Sequence, residues 1–383
     1  MGHAVLSASG SKRWMTCPPS ARLEMTLPDS HSVFAQVGTW GHSAAEHLLR
    51  QHLGQKVEAE IIALKLSDHY TPANWESVQD YVDLVIELIN AAKAKDKHAQ
   101  VFLETRVDFS RVVPEGFGTC DVIIISQGTI ATIDLKFGQG VPVSAVDNPQ
   151  TRLYSLGAYW AFDWQYDITA VQAYIIMPRL DSVTCEELTV DELLAWAENE
   201  VKPKAQIAWE GKGEFTPSDE CRFCRAKATC KARADKMLAA ATLEDPRLLT
   251  PAAIATILST LDQIVDWATK VKEYAFDQAI NHGVKWPGYK LVEGRSNRKF
   301  TDKEKVKLAL LDACYTEDQI MDPASLKTLT DLETLVGKKP FDELVGGLIT
   351  KAEGKPTLVS AEDKRPEIGA NVSAKSDFKE DLE

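Results

Sequence analysis

The chain has 383 residues, 44% of them hydrophobic, and a formal net charge of -13. This length and apolar content allow a large buried core, and we expect two domains. The acidic balance argues against a broadly basic nucleic-acid binder but leaves room for a local basic groove. The absence of a long apolar run and of signal-peptide features after Met1 predicts a cytoplasmic protein with no membrane contact.

The first helix of chemical interest is predicted to begin at Gly38-Thr39. His42 and Glu46 follow it four residues apart, so they share one helix face at a spacing typical of metal ligands. The alternative is a surface His-Glu pair on an exposed helix. A second helix is predicted over residues 73–97, where apolar side chains recur at helical spacing.

Residues 118–138 predict a β-hairpin. Two runs rich in β-branched residues flank the turn Gln127-Gly128. Asp121 lies near the start of the first run, and Asp134 and Lys136 lie near the end of the second. Those ends are neighbours in an antiparallel pair, so two carboxylates and a lysine are expected to converge.

This set of side chains is suited to phosphodiester hydrolysis. Carboxylate oxygens are ligands that Mg²⁺ or Mn²⁺ prefers, and a bound ion lowers the pKa of a water ligand. The ammonium group of Lys136 would orient that water or stabilise charge on phosphate. The alternative interpretation is two solvated acids and a surface lysine on an exposed hairpin.

After the hairpin, a helix is predicted from Asn148-Pro149, with proline in its first turn. Gln150 and Tyr154 lie on one stripe of this helix, which by itself is more typical of half-buried packing than of a DNA contact. Strands are predicted over residues 170–177 and 182–188, followed by a helix over 191–209. This order predicts an α/β fold with the site at strand ends.

Three cysteines are clustered at Cys221, Cys224 and Cys230. Such spacing indicates a metal site, for which Cys17 in a proline-rich loop is the best candidate for the fourth ligand. Four thiolates suit either a [4Fe-4S] cluster or tetrahedral Zn²⁺, and ordinary reduced thiols are the remaining alternative.

Beyond residue 236 the sequence predicts a mainly helical accessory region over 237–353 and a disordered tail over 354–383. A long helix is expected over residues 251–282. Residues 286–300 could form a small hairpin with a basic turn that either clamps a DNA backbone or is simply solvated.

The order of these motifs resembles the iron-sulfur branch of the RecB-type PD-(D/E)XK nucleases, which includes the AddB nuclease domain and the CRISPR adaptation exonucleases. That branch has a cysteine, a Gly-x-x-x-His helix, an Asp, an (Asp/Glu)-x-Lys pair, Gln-x-x-x-Tyr and three clustered cysteines. The matching positions here are Cys17, His42, Asp121, Asp134 with Lys136, Gln150 with Tyr154, and Cys221, Cys224 and Cys230. The resemblance covers about residues 1 to 236 and is shared with a phage and prophage family of this class.

The resemblance implies a mixed central β-sheet flanked by helices and a function for each matching residue. His42, Asp121, Asp134 and the Leu135 carbonyl would bind a divalent ion, and Lys136 would activate the attacking water. Supporting roles at the site or on the DNA strand would fall to Gln150, Tyr154 and Glu104, the last as a carboxylate near the ligands or on a second metal ion. One departure is Asp134, where many relatives have Glu.

We therefore predict a Mg²⁺- or Mn²⁺-dependent deoxyribonuclease, an exonuclease acting at DNA ends in phage replication or recombination. Its nuclease domain would span residues 1–236 and be closed by a structural [4Fe-4S] cluster beside DNA-binding cations, which include Arg222, Arg225 and Lys227. A phage single-strand-binding or annealing protein would be a partner. The alternative function is a DNA-binding recombination scaffold on a catalytically weak nuclease fold.

Overall fold

The computed structural model describes residues 4–28, 33–139, 142–240, 251–294, 298–322, 325–351, 356–360 and 365–368. The chain divides into two compact units, Met1–Trp267 and Ala268–Glu383, so the first unit extends beyond the predicted boundary at residue 236. None of the helices within the described ranges is both long enough and apolar enough to cross a membrane.

The first unit is an α/β fold built on a mixed sheet of five strands, as predicted. The strands lie in the order β1 to β5, and every neighbouring pair is antiparallel except β3 and β4, which are parallel. They are β1 (Gln100–Asp108), β2 (Phe117–Ser126), β3 (Thr129–Leu135), β4 (Ala170–Met177) and β5 (Ser182–Thr189).

Helices cover both faces of this sheet. The helices of the first unit are α1 (Ser11–Thr16), α2 (Ser20–Met25), α3 (Val33–His52), α4 (Glu58–Lys65), α5 (Pro72–Lys95), α6 (Pro149–Phe162), α7 (Val190–Trp196), α8 (Lys202–Trp209) and α9 (Lys231–Ala240). One core cluster joins α1, α6, α7 and α8 to the sheet, and a second joins α3, α4 and α5 to it. The polar ends of β2 and β3 therefore lie between two helical layers.

Local signals account for the elements next to the site. Gln127 and Gly128 have φ angles of 47° and 72°, the left-handed pair of a tight hairpin turn, and the predicted β2–β3 hairpin is confirmed. The Asn148 side chain accepts a hydrogen bond from the Gln150 backbone amide, and Pro149 occupies the first turn of α6, as predicted.

The prediction that a helix begins at Gly38 is wrong, because α3 begins at Val33 and Gly38 lies inside it. Packing, and not the start of the helix, explains why α3 has a glycine at position 41. A Cβ atom on Gly41 would lie 2.7 Å from the ring of Phe137, whereas one on Gly38 would meet nothing within 4 Å. Gly41 therefore lets α3 approach the end of β3.

Among its described residues, the second unit has its own small apolar core and three two-stranded sheets. The long helix α10 (Pro251–Asn281) belongs to both units by sequence. The later helices are α11 (Lys303–Asp312), α12 (Glu317–Ile320), α13 (Leu329–Val336) and α14 (Lys338–Val345), and the strands are β6 (Tyr289–Glu293), β7 (Arg298–Phe300), β8 (Met321–Asp322), β9 (Ser325–Leu326), β10 (Ile349–Lys351) and β11 (Pro356–Ser360).

The predicted hairpin over residues 286–300 is wrong in its pairing. Strand β6 pairs with β11 and β7 pairs with β10, so each finds its partner far along the chain. Its basic turn at 295–297 lies outside the described residues. Strand β11 also falls where the sequence predicts a disordered tail from residue 354, and the rest of that tail, apart from 365–368, lies outside the described residues.

Candidate metal centre

Three carboxylates form a row across the first three strands of the sheet. The β1–β2 pairs on both sides of Glu104 keep one register, which places Glu104 directly opposite Asp121. The β2–β3 register, continued by one residue past Val122 and Ile133, places Asp121 opposite Asp134. The Glu104–Asp121 pair is missing from inside the β1–β2 ladder, so β1 is distorted there, whereas the β2–β3 ladder ends one pair before Asp121 and Asp134.

The distortion on β1 is centred on Glu104, whose φ of 46° is left-handed. Non-glycine residues rarely adopt this conformation within a strand. Alternation of side chains slips at this point, because Phe102 and Val107 pack with the same core cluster although they are five positions apart and would lie on opposite faces of a regular strand. The twist turns the Glu104 side chain toward the row.

Asp121 is fixed in place by bonds to two elements. Its Oδ2 accepts a hydrogen bond of 2.7 Å from the backbone amide of Leu135, at the point where β2 and β3 separate. Its Oδ1 lies 3.3 Å from Nδ1 of His42, which projects from α3. Asp121 therefore links the hairpin to the helix layer.

Asp134 forms a second polar group with α6. Its Oδ1 accepts a hydrogen bond of 2.9 Å from Gln150 Nε2, and its Oδ2 lies 2.9 Å from Lys136 Nζ at an angle unsuited to a hydrogen bond. Lys136 donates a hydrogen bond of 2.7 Å to Gln150 Oε1, and Gln150 Nε2 lies 3.3 Å from the Tyr154 hydroxyl. This network orients the carboxylate and the ammonium group together.

The sequence around this network allows the close approach of α6. A Cβ atom on Gly118 would lie 2.7 Å from the ring of Tyr154, so only glycine fits at this point of β2. A buried ion pair adds to the anchoring, since Arg152 donates to both oxygens of Glu186 at 2.7 and 2.6 Å. Sequence analysis missed this pair, because its members are on separate elements and no local pattern connects them.

The charges of the site shift its pKa values. Burial works against the charged form of His42, but Asp121 prevails and raises the pKa of His42 to about 9. The His42 side chain is 36% exposed, so solvent screens part of this attraction. Burial and the charge of Asp121 raise the pKa of Glu104 to about 7. Burial also raises the pKa of Asp134, although the nearby ammonium group of Lys136 opposes that shift.

His42, Glu104 and Asp121 offer ligand atoms that all lie within 4.8 Å of one another. Imidazole nitrogen and carboxylate oxygen together suit divalent ions of the Mn²⁺ type, and carboxylates alone suit Mg²⁺. The residue types are therefore compatible with a divalent cation, as predicted. Asp134 lies outside this tight group, and Glu46 pairs with Arg50 rather than with His42.

The four cysteines predicted to bind a metal line one cavity in the first unit. Cys17 ends α1, and Cys221, Cys224 and Cys230 come from the segment between α8 and α9. Electrostatic interactions connect Cys17 with Cys221 and Cys230, and burial raises the pKa of the Cys17 thiol. Burial likewise raises the pKa of Cys224 to about 11. A bound cation is therefore needed to keep Cys17 and Cys224 as thiolates at neutral pH.

The cations near this cavity differ in their accessibility. Arg222 donates to the Asp219 carbonyl, Lys227 donates to the Arg222 carbonyl, and Arg225 donates to the carbonyls of Glu24 in α2 and of Leu27 just after it. Arg233 is only 4% exposed and donates to Asp266 at 2.9 Å. Arg233 is thus a structural residue and does not face solvent.

Two solved structures are similar to parts of the chain. One is a "Putative exonuclease" from Eubacterium rectale, with 14% identity, a TM-score of 0.33, and coverage of 63% of this chain and 90% of that one. The other is SSO0001, with 14% identity, a TM-score of 0.22, and coverage of 58% of this chain and 96% of that one. A family model matches residues 3–366, and the chain belongs to that family, described as "Protein of unknown function (DUF2800)".

Proposed function

We propose that this protein is a divalent-cation-dependent nuclease that hydrolyses phosphodiester bonds of DNA. The observation that carries the proposal is the convergence of His42, Asp121 and Asp134 with Lys136 where β2 and β3 separate. Two carboxylates and an imidazole offer cation ligands, and the adjacent ammonium group offers a charge for phosphate or for an attacking water. A surface hairpin with solvated acids would not place Asp134 at 4% exposure.

Each residue has a defined task in this proposal. His42, Asp121, Asp134 and the Leu135 carbonyl would hold the cation, which supplies Lewis-acid activation of water and phosphate. Gln150 holds both Asp134 and Lys136, so the ammonium group stays beside the carboxylate that positions the cation. Lys136 is 28% exposed and can therefore reach a water or a phosphate oxygen outside the protein. Tyr154 supports Gln150 from one turn further along α6.

The motif order that resembles RecB-type nucleases supports DNA as the substrate and strand ends as the position of attack. Residues outside the centre, including the exposed Arg225, would then contact phosphates. A role in phage replication or recombination, with a single-strand-binding or annealing partner, extends the proposal to the biological setting.

We further propose that Cys17, Cys221, Cys224 and Cys230 hold a structural [4Fe-4S] cluster. A tetrahedral Zn²⁺ site with Zn–S bonds of about 2.3 Å brings its sulfurs to about 3.8 Å from one another. Within the described residues, no three cysteine sulfurs lie within 4.8 Å of one another, although all four thiols line one cavity. The motif order that resembles the iron-sulfur nucleases favours a cluster, and tetrahedral Zn²⁺ is the alternative for four thiols at one cavity. Iron and zinc analysis of anaerobically purified protein tests this choice, and a colourless, zinc-loaded protein would refute it.

The experiment that tests the nuclease proposal is cleavage of end-labelled linear DNA, single- and double-stranded, and of a closed circle, with Mg²⁺ or Mn²⁺. We expect Asp134→Ala and Lys136→Ala to lose cleavage, and the circle to be spared if the enzyme needs ends. The matched controls are the exposed residues Asp83 and Lys202, whose alanine variants should cleave normally. DNA that is bound but left intact by every protein would refute hydrolysis and favour a scaffold.

A further inference from the structure

An exposed arginine, Arg106 of β1, lies beside the carboxylate row that crosses β1, β2 and β3. It follows Glu104 by two residues and pairs with Thr119 of β2, which precedes Asp121 by two. Two residues of a strand span about 7 Å, so the backbone of Arg106 lies about that far from the row. A long side chain anchored there can reach a molecule that is bound at the row.

A neighbouring aromatic ring holds this arginine in place. Val107 packs into the core under α6, so Arg106 points to the opposite side of the sheet, where α3 carries His42. Its Cζ lies 3.7 Å from the centroid of the Phe117 ring. Carbon atoms are in van der Waals contact at this separation, so the guanidinium rests directly on the ring. The contact fixes the group without using its N–H donors.

Those donors are free among the described residues. Within these ranges, the guanidinium of Arg106 has no hydrogen bond or ion pair. Asp108, two residues further along β1, accepts hydrogen bonds from the Ser110 amide at 2.8 Å and from the Ser110 hydroxyl at 2.6 Å instead. By contrast, Arg50 of α3 is paired with Glu46. An exposed guanidinium that is held on a ring can bind a phosphate through two parallel hydrogen bonds.

Lys136 has a matching position on another strand. It follows Asp134 of β3 by two residues, as Arg106 follows Glu104 of β1. Strands β1 and β3 are separated by two strand spacings, or about 10 Å. The two cations are therefore anchored where neighbouring phosphates of one strand can meet them.

We infer that Arg106, held in place by Phe117, binds the phosphate next to the one that is cleaved. Lys136 faces the scissile phosphate at the metal centre, and Arg106 faces its neighbour, so the strand crosses the ends of β1, β2 and β3. The inference rests on the proposed function, because it adds a substrate-binding residue to the same nuclease site. Phe117 is a positioning residue, since it acts only through the arginine.

The test is the binding of a fluorescent single-stranded oligonucleotide to the full chain. Anisotropy is measured at several salt concentrations in a buffer without divalent cations. Each phosphate contact to a single strand adds about 0.7 to the slope of the logarithm of the binding constant against the logarithm of the salt concentration. We expect Arg106→Gln to weaken binding about tenfold and to reduce this slope by about 0.7. Arg106→Lys keeps the charge and should keep the slope, but it should bind more weakly because the planar fork is lost.

Phe117→Leu separates positioning from charge. It should lower the affinity about threefold and leave the salt slope unchanged, because the charge of Arg106 remains. In the Arg106→Gln background, Phe117→Leu should have no further effect. An additive loss in the double variant would overturn the positioning role of Phe117.

The matched control is Arg111→Gln. Arg111 is exposed and also lies over an aromatic ring, with its Cζ 5.0 Å from the centroid of Trp160. Trp160 belongs to α6 and packs against the core on the other side of the sheet. Arg111→Gln should therefore keep the affinity and the salt slope of the wild type.

DNA cleavage with Mn²⁺, measured on the same proteins, separates this inference from the nuclease proposal. A wild type that cleaves DNA, with an Arg106→Gln variant of equal affinity and slope, would overturn the inference and support the nuclease. Weaker binding by Arg106→Gln, with DNA left intact by every protein, would support the strand contact and refute the nuclease. A wild type that neither binds nor cleaves DNA would overturn both.

Discussion

Replacing Glu104 with Gln should stabilise the metal-free protein at alkaline pH. Folding raises the pKa of Glu104 to about 7 from its usual 4.5, through burial and then through the charge of Asp121. The folded state thus holds a proton that the unfolded state releases between these values. The contribution of this proton to the free energy of unfolding is fully present below pH 4.5 and is lost as the pH rises through about 7. A neutral Gln side chain has no such loss.

The size of the effect follows from the shift. About 2.5 pKa units at 1.36 kcal/mol each give about 3.4 kcal/mol. Glu104 is partly exposed, so solvent screening reduces this to about half. Between pH 5 and pH 8, the free energy of unfolding of Glu104→Gln should therefore gain about 1 kcal/mol relative to the wild type.

Urea unfolding in EDTA at pH 5 and pH 8 measures this difference. The exposed Glu187 provides the control, because Glu187→Gln removes one charge from the same sheet without relieving the carboxylate row. A Glu104→Gln protein that is less stable than the wild type at pH 8, or whose advantage does not grow from pH 5 to pH 8, would refute the reasoning.

Other substitutions test the packing, a buried ion pair and the proposed metal site of the four cysteines. Gly41→Ala should lower the free energy of unfolding by about 1–3 kcal/mol through overpacking, whereas Gly38→Ala, in open space of the same helix, should raise it by up to about 1 kcal/mol. Arg152→Ala should lower the free energy of unfolding by about 3–5 kcal/mol, because it leaves the buried carboxylate of Glu186 unpaired. Lys202→Ala removes one member of an exposed ion pair and should lower it by less than about 1 kcal/mol. Thermal or urea unfolding measures both. Cys17→Ala should lose cysteine-bound metal by elemental analysis, and full retention would show that another residue is the fourth ligand.

Features set by short-range rules could be predicted from the sequence. The turn at Gln127-Gly128 and the cap at Asn148 are local, so the hairpin and α6 were predictable in place. Convergence of Asp121 and Asp134 then followed from the hairpin register. A hairpin with a short turn allows few alternative registers, so residues that lie opposite each other in it can be predicted.

Features set by distant contacts could not be predicted in the same way. Glu104 faces Asp121 only because β1 adopts one particular register on β2, and its left-handed backbone has no signal in the sequence. The packing requirement at Gly41 could not be predicted because its neighbour, Phe137, is far along the chain. The partners of β6 and β7 are likewise remote.

The most direct test of the central claim is the rate at which a terminal label is released from linear DNA at saturating Mn²⁺, compared between wild type and Lys136→Ala. The proposed function predicts a loss of about 10²–10³-fold in Lys136→Ala, because its ammonium group acts on phosphate or on the attacking water. Equal rates in the two proteins, or no release by the wild type, would contradict the assignment of this site as a nuclease centre.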